Sequence, residues 1–216
     1  MGGSMAIGAD EFYAVASSDD WRLTFEGALA HYVCPDARRR VEFAGRVVDL
    51  EPGGYGPDLE LRATGVTVRL ASSFDAGGLP EAAAGLAASV SEIAEELGLP
   101  ADVEHLQAMQ IAVDGGMDAI PFWQAVTGYD QVGDADLVDP LGRAPGVWNQ
   151  AVNDGRDAPA RIHLDVSVSA DEAARRIDAA LRAGGRVADD SHAPHWITLA
   201  DPSGNLVDIA AWPDLP

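Results

Sequence analysis

Apolar positions along this chain follow a strand-like period in some stretches and a helix-like period in others. Residues 22–24 and 28–33 alternate apolar and polar positions around Glu26-Gly27, which predicts a β-hairpin. A second alternating pair, residues 59–63 and 66–70, flanks Thr64-Gly65. Residues 10–17 read as a short helix. Asp36 is a good N-cap for a further helix in which Val41, Ala44, Val47 and Val48 recur at helical spacing. Leu86, Ala87, Val90, Ile93, Ala94 and Leu97 form one stripe of a long helix that stops at Gly98 and Pro100. The first hundred residues therefore predict an α+β unit with helices on one face of an antiparallel sheet.

Residues 99–104 read as a linker, and the pattern after them changes. A strand at 106–113 leads to a helix at 118–126 containing Phe122 and Trp123, then Gly128-Tyr129 and strands near 136–139 and 146–152. A strand at 161–168, a helix at 170–183, Gly184-Gly185-Arg186 and strands near 196–200 and 206–211 follow the same order. The two runs align Ala108 through Asp114 with His163 through Val168. Two domains are expected, at 6–98 and 103–216.

Composition narrows the function. The net charge is −21, and all 14 cations are Arg, so a Schiff-base lysine and a lysine-dependent phosphate loop are both excluded. Such acidity argues against nucleic acid, which needs a cationic footprint. Arg38-Arg39-Arg40 is the one basic cluster and reads as the solvated face of a helix. Cys34 stands alone between Val33 and Pro35, which excludes a disulfide framework and predicts a buried thiol at a strand end. No apolar run approaches the roughly 18 residues of a membrane helix, and no basic-then-apolar leader is visible. A cytoplasmic protein without membrane contact is expected.

The first half, over roughly residues 10–98, resembles the pterin-4a-carbinolamine dehydratase family. Asp20-Trp21-Arg22-Leu23, the Arg-rich helix, the strand Gly65-Val66-Thr67-Val68-Arg69-Leu70 and Gly77-Gly78-Leu79-Pro80 carry the likeness. The family's active site reads His-His-Pro-Asp/Glu and then an aromatic residue. Those positions fall here on Tyr55, Gly56, Pro57, Asp58 and Leu59, and a third family histidine falls near Ser73. The resemblance implies Tyr55 and Asp58 as the residues of any retained 4a-hydroxytetrahydrobiopterin dehydratase activity on a pterin-like ligand. Without its histidines the domain is expected to be a scaffold, a homodimerisation unit or a repurposed pocket.

The second half, residues 103–213, resembles the vicinal oxygen chelate, or glyoxalase-like, superfamily through Arg161-Ile162-His163-Leu164-Asp165-Val166 and Leu199-Ala200-Asp201-Pro202-Ser203-Gly204-Asn205. It implies a tandem βαβββ fold around a ligand cavity. The superfamily's four metal-ligand positions fall on Ala108, Gln150, His163 and Asp208. Ala108 cannot coordinate and Gln is a weak ligand, so no metal and no other cofactor are expected. His163 beside Asp208 is instead expected to run acid/base chemistry of a lyase or isomerase type. Period-two spacing puts Arg161 and Asp165 on the strand face of His163, and Trp148 on that of Gln150. With Trp123 and Trp196 these residues would line a cavity for a planar small molecule. His192 and His195 bracket Ala193-Pro194 in a turn that reads as an ordinary solvated loop, with a lid over the cavity mouth as the alternative. A non-enzymatic ligand-sequestering protein is the alternative.

Overall fold

Glu26-Gly27 turns the chain as its spacing predicts. β2 (Trp21–Thr24) and β3 (Gly27–Val33) pair antiparallel, with Trp21 opposite Ala30 and Thr24 opposite Gly27. The structure is a computed structural model that describes residues 6–50, 55–72, 78–114, 120–150, 162–200 and 206–211. It divides into two units, the first running to Leu106 and the second spanning Gln107–Ala211. Both units mix helices with sheet, the α+β class expected.

In the first unit the four-stranded sheet runs β2-β3-β5-β4, with β4 at Asp58–Leu61 and β5 at Gly65–Ala71, all neighbours antiparallel. A two-stranded pairing joins β1 (Ala6–Ile7) to β6 (Leu79–Pro80). One sheet face carries Ala28, Ala30 and Tyr32 from β3 with Val66, Val68 and Leu70 from β5, all buried. Trp21 and Leu23 from β2 join this core, and three helices add to it: Phe12 from α1 (Ala9–Tyr13), Phe43 and Val47 from α2 (Ala37–Val48), and Ala83, Leu86, Ala87, Val90 and Ile93 from α3 (Ala82–Glu96). Tyr32 meets Phe43 edge-on at 5.2 Å between ring centres. Cys34 is buried, as its apolar neighbours predicted.

Asp36 caps α2 by accepting from the backbone N–H groups of Arg38 and Arg39 at 2.8 and 3.0 Å, which satisfies two of the donors that the first helical turn leaves free. The arginine run is more than a solvated face. Arg39 donates to the carbonyl of Leu97, and Arg40 donates to those of Cys34, Pro35 and Ala63. These carbonyls lie where strands and helices end and lack a regular backbone partner, so a guanidinium with several donors satisfies them. Residues 99–104 also differ from a free linker. The Val33 N–H donates to Pro100, the Asp102 N–H donates to His31, and Ala101 bridges Tyr32. This segment borders β3 where β2 has already ended.

The second unit runs β7 (Ala108–Asp114), α4 (Ile120–Thr127), β8 (Asp130–Val132), β9 (Asp136–Val138), β10 (Gly146–Gln150), then β11 (Ile162–Ser167), α5 (Ala170–Arg182), β12 (Arg186–Asp189), β13 (Trp196–Ala200) and β14 (Leu206–Ala210). They form one eight-stranded sheet, ordered β12-β13-β14-β11-β7-β10-β9-β8. β7 and β11 pair antiparallel at its centre, while β10 runs parallel to β7 and β14 parallel to β11. Val113, Ile120, Leu137 and Val147 pack together with Ile111, Trp123 and Tyr129, which puts α4 on the sheet face of the odd-numbered β7 residues. β8 and β12 were not anticipated. Both are short and polar, and β12 is exposed at every position, so neither shows a hydrophobic period.

Two glycines in the first unit should respond oppositely to a methyl group. Gly27 has φ +126°, and a Cβ there would lie 2.1 Å from the carbonyl oxygen of Leu70. Gly45 lies within α2, where a Cβ meets nothing within 4 Å. Gly27→Ala should cost about 1–3 kcal/mol or more, and Gly45→Ala should add about 0.5–1 kcal/mol. Urea unfolding followed by circular dichroism measures both; equal effects would contradict the packing described.

Candidate functional site

The site is a consequence of strand register. β11 pairs with β7 so that His163 lies opposite Ala112, Asp165 opposite Gln110 and Ser167 opposite Ala108. β14 lies on the other side of β11, with Asp208 beside Asp165. β10 flanks β7, with Gly146 beside Gln110 and Trp148 beside Ala112. Side chains alternate along each strand, so His163, Asp165, Asp208, Gln110 and Trp148 share one face. Asp136, opposite Trp148, and Thr198, opposite Asp208, extend it. Burial raises the pKa of Asp136.

At its centre are two carboxylates about one strand spacing apart, roughly 4.8 Å. Asp165 and Asp208 are each only 8% exposed. His163 Nε2 stands 3.3 Å from Asp165 Oδ1 and 3.5 Å from Asp208 Oδ2. The Trp148 indole N–H donates to Asp165 Oδ2. The Oδ1 atoms of Asp165 and Asp208 are buried, and neither has a hydrogen-bond donor among the described residues. Contact with Asp165, and next with Asp208, pushes the His163 pKa up to about 10 against the opposing effect of burial. His163 is therefore an imidazolium at neutral pH, able to donate a proton and unable to accept one. Even so, one cation faces two anions.

Among the described residues, His163, Asp165 and Asp208 each offer a ligand atom within 4.8 Å of the others. The sequence reading counted two protein donors, His163 and Asp208, and assigned Asp165 to ligand contact. Parallel register makes Asp165 the third. A strand pairing of this kind leaves no mark on local sequence.

Other expected residues separate. Ala108 and Gln150 do not meet: Ala108 lies beside Ser167, while Gln150 lies beside Asp114, six residues and about 20 Å further along β7. Trp123 packs on the helix-covered face, opposite the site, because α4 presents it to Ile111 and Val113. Trp196 is on the site face beside Ala210, two residues from Thr198, and its indole stacks on His192. Arg161 and the turn at 201–205 lie outside the described residues, as does the side chain of Gln150. Gln110 was missed; its period-two position between Ala108 and Ala112 on β7 was the available signal, and its amide lies near Gly146.

In the first unit Tyr55 and Asp58 hold structural partners. The Tyr55 hydroxyl donates to the carbonyl of Ala71 at 3.0 Å, and burial, with the Asp58 charge adding to it, pushes its pKa up to about 12. Asp58 accepts from Arg69 Nε and Nη2 at 3.0 and 2.6 Å, and Arg69 also stands 3.7 Å from Glu26. Gly53, Gly54 and Ser73 lie outside the described residues.

Residues 109–210, within the second unit, match the family model described as a glyoxalase-like domain. No curated protein matches the chain.

The His163 ion pairs have a definite pH signature. A folded-state pKa raised from 6.5 to about 10 contributes stability that is complete below 6.5 and is lost as pH rises through about 10. In chelator-treated protein, 15N chemical shifts should show His163 doubly protonated at about pH 8, and Asp208→Asn should lower its midpoint by about one pH unit or more. A neutral ring at that pH in the unsubstituted protein would refute the geometry.

Proposed function

We propose that the second unit binds a small oxygen-bearing molecule at a divalent cation held by His163, Asp165 and Asp208. The observation that carries this reading is a pair of buried carboxylates, each keeping one oxygen without a donor and each bringing an oxygen to within 3.5 Å of His163 Nε2. One imidazolium leaves the trio at a net charge of about −1, whereas a divalent ion with a neutral imidazole balances two carboxylates. The donor set, one nitrogen and two carboxylates, suits a first-row divalent metal, and three ligands leave positions open. When bound, such an ion supplies Lewis-acid polarisation of a ligand oxygen.

The chain's own residues do the positioning. Trp148 holds Asp165 Oδ2, which fixes the carboxylate plane and leaves Oδ1 turned to His163. His163 gives up its proton to serve as a ligand, so proton and metal compete for Nε2. Gln110 and Thr198 offer a neutral amide and a hydroxyl on the same face to orient the bound molecule. The first unit is read as a scaffold, because Tyr55 and Asp58 are already engaged and a phenol with its pKa near 12 is no base at pH 7.

A second reading has its own support. The raised pKa of His163 suits a metal-free proton donor acting on a ligand whose anion forms as a bond breaks.

Calorimetric titration of chelator-stripped protein with Mn²⁺ separates the two. The metal reading expects about one ion per chain, with affinity reduced more than about tenfold in Asp165→Asn and in Asp208→Asn. Absence of Mn²⁺ and Zn²⁺ binding rejects it and leaves the proton-donor reading, under which His163→Gln loses turnover while still binding ligand.

A further inference from the structure

Trp196 opens β13 on the same sheet face as Asp165 and Asp208. Two residues on, Thr198 lies opposite Asp208, so the indole is rooted about 7 Å along the strand from the carboxylates. A half-buried indole there is flat apolar surface beside a polar cluster, the arrangement that orients a ligand with one conjugated end and one oxygen-bearing end.

That surface is covered by the protein itself. The His192 imidazole lies over Trp196 with ring centres 4.1 Å apart and planes only 14° from parallel. His192 is exposed and sits on the turn between β12 and β13. Backbone bonds hold this turn: the Ala193 N–H donates to Asp190, and the His195 and Trp196 N–H groups donate to His192. The Ala211 N–H ties the turn to β14 through the carbonyl of His195. The imidazole can therefore leave the indole by rotation about its own side-chain bonds, with the backbone unmoved.

We propose that Trp196 is the stacking subsite for a flat conjugated ring of the ligand, and that His192 occupies this subsite until the ligand displaces it. The proposal rests on the reading of this face as a small-molecule site but not on the metal. It assigns the ligand class: a fused or single aromatic or conjugated ring bearing an oxygen substituent. A saturated ring of the same size is excluded by shape, because its axial hydrogens keep it from lying at stacking distance on an indole. His192 lowers the apparent affinity by the fraction of time it covers the indole. It also prevents an empty apolar face from standing open to water.

Full-length, chelator-treated protein is titrated calorimetrically with 2-naphthol and with decahydro-2-naphthol, which share a hydroxyl and differ in planarity. Binding of 2-naphthol should exceed that of the saturated alcohol by about tenfold or more and fall about tenfold or more in Trp196→Ala. Trp196→Phe should retain most of it. His192→Ala should bind 2-naphthol several-fold more tightly, since the competing ring is gone. In the unsubstituted protein the His192 ring protons should move downfield on saturation as they leave the shielding region of the indole. No 2-naphthol binding at millimolar concentration, equal binding of the two alcohols, or an unmoved His192 resonance would overturn the proposal. Weaker binding in His192→Ala would do so too, by showing His192 to be a contact or a loop staple. Failure with Mn²⁺ alongside success with 2-naphthol removes only the metal; the reverse removes only the stacking subsite.

Discussion

Asp165 and Asp208 occupy directly neighbouring positions on parallel strands, and both are almost completely buried. Like charges in that relation repel, and withdrawing each from water adds a desolvation cost. The fold tolerates the pair because His163, two residues before Asp165 on the same strand face, brings its Nε2 within ion-pair distance of both. The Trp148 indole takes one further oxygen. The rest of the site follows from this compensation. It raises the pKa of the histidine and leaves two oxygens without donors. A polar cluster that is only partly satisfied costs stability.

The central register explains why the cluster forms in this place. Antiparallel pairing of β7 with β11 puts small residues, Ala108 and Ala112, opposite Ser167 and His163. A large side chain at Ala112 would crowd His163 and Trp148, its neighbours on either side. Ala112, with only a methyl group, makes room for the tryptophan and histidine that flank it. On the opposite face the same strands contribute Ile111, Val113 and Val147 to the packing beneath α4. One face is thus committed to packing beneath α4, and the other carries the polar cluster. In the first unit, by comparison, the residues with chemical potential are already used: the Tyr55 hydroxyl by a backbone carbonyl, and Asp58 Oδ2 by two N–H groups of Arg69.

Much of the architecture was legible because hydrophobic period and turn chemistry agree. Glu26-Gly27, the stripe of α3 and the Asp36 cap each carry a local signal that packing later reinforced. The match of residues 109–210 to a glyoxalase-like domain was legible from the motif around His163. β8 and β12 escaped notice, being short polar strands recruited by their neighbours. The nearness of His163 to Asp208 was readable, but the place of Asp165 beside them depends on a pairing between strands about forty residues apart. Trp123 was misplaced because a helix period does not say which sheet face the helix will cover. Arg39 and Arg40 read as solvated because a charge run does not show which carbonyls lie within its reach.

The most direct test is a crystal of the protein soaked in Mn²⁺, with diffraction recorded near the manganese absorption edge. The account predicts one anomalous peak in the second unit, about 2.0–2.3 Å from His163 Nε2 and from an oxygen of each of Asp165 and Asp208. It also predicts that the peak vanishes in Asp208→Asn. A well-ordered cluster without an anomalous peak, with Nε2 still between the carboxylates, would contradict the metal-centred account and leave His163 as a proton donor.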